Sequence, residues 1–507
     1  MKVSRVVALL AVTALLLAAC GGGGGKGGNA GASGGSITIA IGSEPTSLDP
    51  QLKDDGGERA VNDNIYETLM VRSPDGKQLE PGLAAGEPTH PGGKDDVWEF
   101  KLRPNVKFSN GEAFNADAVV TSVKRIIAPS FKSEQSGFFS TITDARKVDD
   151  LTVDIVTKGP DPILPSRMYW MKMVPAKASS DSSFASKPVG TGPYLLKEWV
   201  RGDHITLDRN PSYWGEKPSI TTVTYKFVAE GGTRLSGLLA GDYDLVTNLL
   251  PEDVKRAPKS AHVTGQEHPM IILNARGGIT ADPRVRQALN YAVNKDDIVS
   301  GIFGGLAKPD TCQILSPSFF GYNQSLQPYP YDKAKAQSLL QQAGATGKTI
   351  ELVGETGRWL KDAETIQAVQ NFWQEIGLKV NVRNFQFDEY LNRLFDQKNR
   401  ADAIFVSSSN ELLDADRQYS TYYEDGGIGS SNSDAQLKQL VDKARTELDE
   451  QQRQAMYNQA GQLACDNAYF LFLVNNDDIY GMSKRLDWQP RVDAKLLLKE
   501  MSVSGNS

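Results

Sequence analysis

The sequence predicts an α/β protein with more than one folded lobe, and three observations lead to this prediction. First, 507 residues are more than one hydrophobic core usually supports. Second, short runs alternate apolar and polar residues as strands do, beginning with Ile37, Ile39 and Ile41. Third, segment 349–382 is patterned as strand, helix and strand, a unit that favours parallel pairing through a right-handed crossover.

The individual elements follow from hydrophobic periodicity and from turn residues. Strands are predicted at 36–41, 98–102, 151–156, 194–200, 204–209, 223–228, 245–246, 268–274, 349–353, 378–382, 403–406 and 469–474. Helices are predicted at 57–70, 116–127, 235–239, 283–293, 332–343, 361–376, 437–448 and 456–463. The tail from Lys484 is polar and predicted to be irregular.

The stretch 188–214 holds the densest turn signals, and its sequence is PVGTGPYLLKEWVRGDHITLDRNPSYW. Gly190 and Gly192 permit backbone angles that a Cβ would forbid, so a sharp turn is expected there. Strands 194–200 and 204–209 then flank a short polar turn, and Asn210 with its following proline ends the second strand. The residues alone predict a β-hairpin with a tight entry.

Composition excludes several function classes. A hydrophobic content of 40% with 23% charged residues is typical of a soluble globular protein. The formal net charge is −7, and no Lys/Arg run interleaves with aromatics, so nucleic acid is not expected as a partner. None of the four histidines pairs with another at metal-ligand spacing, and no nucleotide-binding or nucleophile motif occurs. No metal, cofactor or catalytic site is therefore predicted, although an unrecognised carboxylate pair stays open.

The N-terminus is patterned as an export signal. Lys2 and Arg5 precede an apolar run too short to span a membrane comfortably, which predicts a signal peptide at 1–19. The run ends in Leu-Ala-Ala-Cys, which resembles a lipobox and implies that Cys20 is acylated; a plain signal peptide is the alternative. Residues 20–35 are then a Gly-rich tether. No other hydrophobic run approaches 18 residues, so no further span is predicted.

Two cysteines remain in the folded part, Cys312 and Cys465. An oxidising compartment would permit a disulfide between them. Their separation of 153 residues does not show whether they lie within bonding distance, so a bridge and two buried thiols both remain open.

Three motifs resemble one protein family. The hairpin's order, GTGPY, strand, turn, strand and RNPSYW, resembles the extracytoplasmic solute-binding proteins that serve peptide, nickel and oligosaccharide ABC importers. So do residues 98–125, WEFKLRPNVKFSNGEAFNADAVVTSVKR, and residues 274–305, NARGGITADPRVRQALNYAVNKDDIVSGIFGG. The motifs occur in the family's order, and the resemblance spans about residues 37–482.

The resemblance implies a type II periplasmic-binding-protein-like fold. Two large lobes with mixed sheets would be joined by hinge strands, and a smaller lobe would be added. The expected segments are 36–70, 188–267 and 475–507 for lobe I, 71–187 for lobe II, and 268–474 for lobe III. The chain would cross between the large lobes near 266–271 and 472–476.

The function implied is that of a lipid-anchored receptor outside the cytoplasmic membrane, on the periplasmic side in a Gram-negative host. It would capture a small solute, most simply a short peptide, between closing lobes and deliver it to an ABC permease and its ATPase subunits. A monomer without a cofactor is expected. The alternatives are a sensory solute-binding lipoprotein, the same receptor role for nickel chelates, opines, glutathione-like peptides or oligosaccharides, and, from another class, an enzyme.

The resemblance also suggests where a ligand's ammonium would bind. Peptide receptors of the family use an aspartate from a loop written roughly Asp-Tyr-x-Asp-Pro, and the matching stretch is 408–416, SSNELLDAD. Asp414 best matches the second aspartate, with Ala415 in place of proline, and Asn410 and Glu411 lie near the first. Asp414 is therefore a candidate ammonium anchor, and a surface loop acid is the alternative.

Further candidates come from two other loops. In dipeptide receptors an arginine before the 361–376 helix pairs with the ligand's carboxylate, and Arg358 and Trp359 occupy that loop here. A solvated arginine beside a core tryptophan is the rival interpretation. The resemblance adds the following candidates from the first lobe: Glu44, Thr46, Gly190 and Thr191.

Overall fold

The computed structural model describes residues 35–355, 357–427 and 429–504. The predicted signal peptide, Cys20 and all of the tether except Gly35 lie outside the described residues. The described strands are β1 Ser36–Ile41, β2 Met70–Arg72, β3 Leu79–Pro81, β4 Val97–Lys101, β5 Ile142–Asp149, β6 Thr152–Thr157, β7 Tyr194–Val200, β8 His204–Arg209, β9 Thr222–Phe227, β10 Leu245–Val246, β11 Lys259–Thr264, β12 His268–Leu273, β13 Ala307–Pro309, β14 Thr349–Glu355, β15 Lys379–Phe385, β16 Ala403–Ser408, β17 Phe470–Phe472, β18 Val474–Met482, β19 Leu486–Asp487 and β20 Ser502–Val503.

The described α-helices vary from one turn to almost five turns. They are α1 Gly56–Ile65, α2 Ala116–Ile127, α3 Leu164–Trp170, α4 Gly231–Ala240, α5 Pro283–Tyr291, α6 Lys295–Gly301, α7 Lys333–Gln342, α8 Asp362–Glu375, α9 Phe387–Phe395, α10 Ala415–Gln418, α11 Ala435–Thr446 and α12 Glu450–Asp466. A five-residue π-helical segment, Tyr419–Tyr423, continues α10.

The largest sheet has eight strands in the order β11-β18-β10-β1-β9-β8-β7, with β13 added to β18. Within this sheet, β1 is parallel to both of its neighbours, β9 and β10. Strand β8 is antiparallel to both β7 and β9. The alternating residues Ile37, Ile39 and Ile41 are buried against Val61 and Ile65 of α1. Helix α1 is thereby held on this sheet.

A second sheet has five strands in the order β15-β14-β16-β12-β17. β14 is parallel to β15 and β16, and α8 connects β14 to β15. This confirms the predicted strand-helix-strand unit. α8 buries Ile366, Val369 and Trp373 in the core below the sheet.

A smaller three-stranded sheet, β4-β6-β5, packs with α2 and α3. Asn115 caps α2 as predicted, because its side chain accepts a hydrogen bond from the Ala118 amide at 3.2 Å. Phe100 of β4 and Val119 and Val123 of α2 are fully buried in this core. The aromatics of the 98–125 motif therefore serve packing.

The chain changes sheets at two neighbouring places, which we call the crossing segments. It leaves β11 at Thr264 and enters β12 at His268, and it leaves β17 at Phe472 and enters β18 at Val474. Asn475 donates to the carbonyl oxygens of Gly265 and Glu267, at 3.0 Å each, so the two segments are bonded to each other. The lobe boundaries given above remain a prediction.

Several predicted bounds were wrong for identifiable reasons. The strand expected at 469–474 is two strands, and the second runs on to Met482. The helix expected at 57–70 ends at Ile65, since Tyr66 has an extended backbone that leads into β2. The polar tail contains β19 and β20, and its Arg491 and Asp493 form a buried ion pair.

Cys312 and Cys465 are joined by a disulfide, with Cα atoms 5.5 Å apart. The bridge ties the loop after β13 to the last turn of α12. Among the described helices, none combines the length and the apolar character needed to cross a bilayer.

Candidate functional site

The N-terminal end of α1 forms one wall of a charged region. The Arg59 guanidinium donates to Asp54 from Nε at 3.1 Å and from Nη2 at 3.2 Å. Trp170 donates its indole N–H to the same carboxylate at 3.0 Å, and Arg59 lies 5.0 Å from the Trp170 ring centre. Burial is the largest single influence and opposes the charge on Arg59, but the carboxylates of Asp54, Asp63 and Asp55 together raise the pKa of Arg59. Arg59 is therefore a fixed cation.

The opposite wall is the loop between β16 and α10. Glu411 in this loop is 5% exposed, and Ser409 donates to its carboxylate at 2.9 Å. Arg417 of α10 forms an ion pair with Glu411, and Arg59 reaches across from α1 to the same carboxylate at 3.4 Å. Glu411 is the point where side chains held by the two large sheets meet.

The floor lies at the first crossing segment. Burial raises the pKa of Glu267, while a hydrogen bond from Ser407 and the charges of His268, Arg358 and Arg59 oppose that shift. The Glu267 carboxylate thus interacts electrostatically with Arg59 of α1 and with Arg358 of the loop between β14 and α8. We call this region the charged cleft; it comprises Asp54, Arg59, Trp170, Glu267, Arg358, Glu411 and Arg417.

A cavity of about 580 Å³ adjoins the charged cleft. Arg417 separates the two, lying 4.7 Å from the ring centre of Phe138, and burial lowers the pKa of Arg417 to about 10. The cavity is lined on one side by residues around β5 and β6 and on the other by α10 and the π-helical segment. Arg445 there is shared by the carboxylates of Asp416 and Glu424.

Irregular backbone orients the wall that carries Glu411. Leu413 adopts a left-handed backbone with φ of 54°, a strained conformation for a branched side chain. The π-helical turn directly after α10 adds a second irregularity, and π-helical turns recur at functional sites in proteins. The left-handed Leu413 lies between Glu411 and Asp414, and the two side chains of this short loop point to different partners.

Asp414, the predicted ammonium anchor, is bonded within its own wall. Its carboxylate accepts hydrogen bonds from both terminal nitrogens of Arg453, at 2.7 and 2.5 Å, and from the backbone amide of Asp416 at 2.9 Å. Asn410 donates to the Asp414 carbonyl oxygen at 2.7 Å and is fully buried. A ligand role for Asp414 would require an ammonium to compete with Arg453, and the role stays a prediction.

Arg358 and Trp359 remain neighbours, with the guanidinium carbon 6.0 Å from the Trp359 ring centre, but their other surroundings differ. Arg358 is exposed, lies 4.3 Å from the ring centre of Phe387, and acts electrostatically on Glu267. Trp359 packs edge-on against Tyr390 and Phe405. Arg358 can therefore serve the charged cleft, whereas Trp359 belongs mainly to the core.

Glu44 and Thr46 are tied to scaffold groups. Glu44 accepts hydrogen bonds from the Trp199 indole and the Gly202 amide, at 2.9 Å each, and so fixes the β7–β8 turn. Thr46 donates its amide and its hydroxyl to Glu58 at 2.7 and 2.8 Å. Both hold the loop that precedes α1.

Gly190 and Thr191 lie at the other end of α1 from Arg59. A Cβ at Gly190 would overlap the carbonyl oxygen of Ile65, so glycine permits this close approach. Thr191 is buried beside Glu67, whose carboxylate accepts from Tyr213 and Trp214 of the RNPSYW motif at 2.7 and 2.8 Å. The hairpin motif thus anchors the C-terminal end of α1.

Sequence reasoning missed most of the charged cleft. Asp54, Arg59, Trp170 and Arg417 lie in segments that share no motif, so no spacing marks them. Glu267 could have been noticed, because it is an acidic residue within the predicted crossing at 266–271. In the described part of the chain no group of three metal-binding side chains occurs.

Comparisons with known proteins agree on the family. The family model "Bacterial extracellular solute-binding proteins, family 5 Middle" matches residues 78–430. The glutathione-binding protein GsiB of Pectobacterium atrosepticum is 29% identical over 354 residues, which are 68% of this chain and 68% of GsiB. The dipeptide-binding protein of Escherichia coli strain K12 is 26% identical over 481 residues, covering 85% of this chain and 88% of that protein.

Solved structures agree on the fold. The crystal structure of NikA from Brucella suis in complex with Fe(III)-EDTA superposes with a TM-score of 0.82 at 23% identity, covering 93% of this chain and all of that chain. The type II periplasmic-binding-protein fold predicted from the sequence is confirmed. The relatives named above are binding proteins rather than enzymes. The chain therefore belongs to the bacterial extracellular solute-binding proteins of family 5, the extracytoplasmic receptors of ABC importers.

Proposed function

We propose that this protein captures a short zwitterionic peptide in the charged cleft for an ABC importer. The observation that carries this proposal is the balance of charge there. Three arginines, Arg59, Arg358 and Arg417, lie close to three carboxylates, those of Asp54, Glu267 and Glu411. A peptide's terminal ammonium and carboxylate suit a site that offers both signs.

Glu411 is the proposed ammonium anchor. It is buried, it faces the opposite wall, and its present partners are side chains that a ligand's ammonium can replace. Asp414 lacks this freedom because its partner Arg453 has a side chain only 4% exposed, whereas the side chains of Arg59 and Arg417, the partners of Glu411, are 31% and 30% exposed. A charge pair formed away from water is stronger than the same pair at the surface, so burial favours Glu411.

Arg59 and Arg358 are the proposed partners of the ligand's carboxylate. A guanidinium offers two parallel N–H donors that match a carboxylate. Arg59 is on α1 and Arg358 is on the loop between β14 and α8, and both act electrostatically on Glu267. A ligand held by both would draw the walls together. We infer that the two large lobes close about the crossing segments, as hinged binding proteins do.

The relatives support a peptide ligand. GsiB and the Escherichia coli protein carry the names of glutathione and dipeptide receptors, and both ligands hold an ammonium and carboxylates. The NikA structure holds Fe(III)-EDTA, so an anionic chelate is the competing ligand class, and the three arginines favour it. The buried carboxylates Glu411 and Glu267 weigh against a ligand that is purely anionic.

The cellular setting is proposed on the same grounds. The disulfide between Cys312 and Cys465 is consistent with an oxidising compartment. We propose that an acylated Cys20 anchors the receptor, as a monomer, beside its permease. Co-purification with permease subunits would separate an importer receptor from a sensory lipoprotein.

Titration calorimetry with matched ligands tests the proposal. Ala-Ala and glutathione should bind, and N-acetyl-Ala-Ala and Ala-Ala amide should each bind at least about tenfold more weakly, because each lacks one charge. Maltotriose serves as an uncharged control. Binding of Ni-EDTA without any binding of the peptides would overturn the peptide assignment.

A further inference from the structure

Arg59 and Arg417 both pair with Glu411, but they differ in what else holds them. Arg59 also donates two hydrogen bonds to Asp54, at 3.1 and 3.2 Å, so it keeps an anion when Glu411 is taken by another group. Among the described residues, Glu411 is the one carboxylate that forms an ion pair with Arg417. The guanidinium of Arg417 otherwise lies 4.7 Å from the ring centre of Phe138. Arg417 therefore depends on Glu411 for a direct anionic partner.

An ammonium bound at Glu411 would change the surroundings of Arg417. The ammonium would take the place of the arginines there, and Arg59 would still have Asp54. Arg417, with a side chain 30% exposed, would lose its partner, while Asp54 and Glu267 act on it electrostatically without forming an ion pair. A largely buried cation without a direct counter-charge is unfavourable. A ligand that brings only an ammonium to Glu411 therefore leaves this pair half satisfied.

The group that would complete the pair is a carboxylate beside the ammonium. Glu411 and Arg417 are in direct contact, so the two charges of the ligand must lie a short distance apart. An α-amino acid head group carries its ammonium and its carboxylate on one carbon atom, and a carboxylate is the planar acceptor that a guanidinium binds best. The N-terminus of an ordinary peptide has only the ammonium there, because its carboxyl group has become an amide.

Space for this exchange lies on the side of Arg417 that faces the cavity. Arg417 lines the cavity of about 580 Å³, a volume within the range of about 300–1,000 Å³ typical of small-molecule sites. The guanidinium can therefore move away from Glu411 as a head group enters. The carboxylates of Asp416 and Glu424 on the same cavity are already paired with Arg445. They do not replace Glu411 as a partner of Arg417, and a ligand's carboxylate is left to do so.

We propose that Glu411 and Arg417 together recognise an α-amino acid head group, and that the ligand is a γ-glutamyl peptide. This inference rests on the proposed function, because it takes Glu411 as the ammonium anchor. In a γ-glutamyl peptide the glutamate is linked through its side chain, so its ammonium and its α-carboxylate are both free. The carboxylate at the other end of the peptide is then available to Arg59 and Arg358, the partners proposed above. Arg417 is thus a specificity-determining residue.

Titration calorimetry on the unliganded, full protein tests the proposal with three ligands that differ by one charged group. γ-Glutamyl-alanine carries the complete head group, 4-aminobutanoyl-alanine lacks only its α-carboxylate, and glutaryl-alanine lacks only its ammonium. The wild type should bind γ-glutamyl-alanine at least about tenfold more tightly than either analogue, because each analogue leaves one charge of the pair unmatched. Equal affinities for γ-glutamyl-alanine and 4-aminobutanoyl-alanine would overturn the proposal.

Arg417→Met tests which side chain recognises the α-carboxylate. The preference for γ-glutamyl-alanine over 4-aminobutanoyl-alanine should fall to about twofold or less, whereas the preference over glutaryl-alanine, which depends on Glu411, should persist. Lys158→Met is the matched control, because it removes an exposed cation from the wall of the same cavity and should leave both preferences unchanged. An undiminished preference for the α-carboxylate in Arg417→Met would also contradict the proposal.

The same titrations separate this inference from the proposed function. Binding of Ala-Ala, together with equal affinities for γ-glutamyl-alanine and 4-aminobutanoyl-alanine, would remove the head-group inference and leave the peptide proposal standing. No binding of Ala-Ala or of any of the three ligands would remove both. The comparison of ligands in the wild type needs no variant, so it decides the question even if Arg417→Met fails to fold.

Discussion

The hairpin at 188–214 and the loop at 408–416 both stand out in the sequence, but they have different roles in the structure. The hairpin's glycines approach the backbone of α1, and its Tyr213 and Trp214 bind Glu67. The loop instead sends Glu411 across to Arg59 on the other wall. A motif rich in glycine and proline thus marks backbone constraints here, whereas the charged cleft is assembled from side chains scattered along the sequence.

The same contrast recurs inside the loop, over three residues. Asp414 turns inward to Arg453 and caps α10, while Glu411 faces the charged cleft. The left-handed backbone of Leu413 lies between them and separates their directions. Of these two neighbouring acids, Asp414 is bonded within its own wall, whereas Glu411 pairs with Arg417 and with Arg59 of the opposite wall.

Arg453→Met is the strongest test of the inward half of this contrast. It leaves the Asp414 carboxylate buried without its cation, so the free energy of unfolding should fall by about 3–5 kcal/mol. Urea denaturation measures the loss. Lys438→Met, which breaks an exposed pair with Asp442, should change stability by about 0.5 kcal/mol or less. Equal losses in the two variants would contradict a structural role for Asp414.

Gly190→Ala tests the hairpin as scaffold. The added Cβ would overlap the Ile65 carbonyl oxygen, a backbone atom that cannot move aside, so a loss of about 3 kcal/mol is expected in thermal or urea unfolding. Gly86→Ala is the control, because no atom lies within 4 Å of a Cβ there. A Gly190→Ala protein as stable as the control would show that the turn has room.

Asp478→Asn tests the crossing that joins the two regions. Burial, with the carboxylates of Glu267 and Asp477, raises the pKa of Asp478 to about 7. Between about pH 4 and pH 7 the folded protein keeps a proton that the unfolded chain releases, so this group lowers stability as pH rises. The asparagine variant should be more stable by about 1–3 kcal/mol at pH 8, and the gain should vanish toward pH 4.

Urea unfolding of Asp478→Asn at pH 4, 6 and 8 gives that profile. Asp487→Asn, at an exposed carboxylate on β19, should show no such trend. A gain independent of pH would mean that the carboxylate stays ionised in the fold.

Much of the fold could be predicted because local patterns decide it. The alternation of Ile37, Ile39 and Ile41 gave β1, and the 349–382 unit gave β14, α8 and β15. The break between β17 and β18 could not be predicted from the sequence, because the apolar pattern continues through Leu473 without a turn residue. That break is set by which sheet each half joins.

The charged cleft was largely hidden from the sequence for a physical reason. Arg59 and Glu411 are 352 residues apart, and only the packing of α1 on one sheet and the strained loop on the other brings them together. The resemblance pointed to the loop that carries Glu411 but singled out Asp414, and the partner of Asp414, Arg453, is on a helix 39 residues away. Side-chain direction within a loop is not encoded by spacing.

Titration of Ala-Ala into Glu411→Gln and Asp414→Asn tests the central claim most directly, with each variant first checked for a native circular dichroism spectrum. If Glu411 is the ammonium anchor, Glu411→Gln should lose about 2–4 kcal/mol of binding free energy, because the ammonium loses its buried anion. Asp414→Asn should bind within about twofold of wild type, although it unfolds more readily. Full affinity in Glu411→Gln together with lost affinity in Asp414→Asn would contradict the account and make Asp414 the anchor.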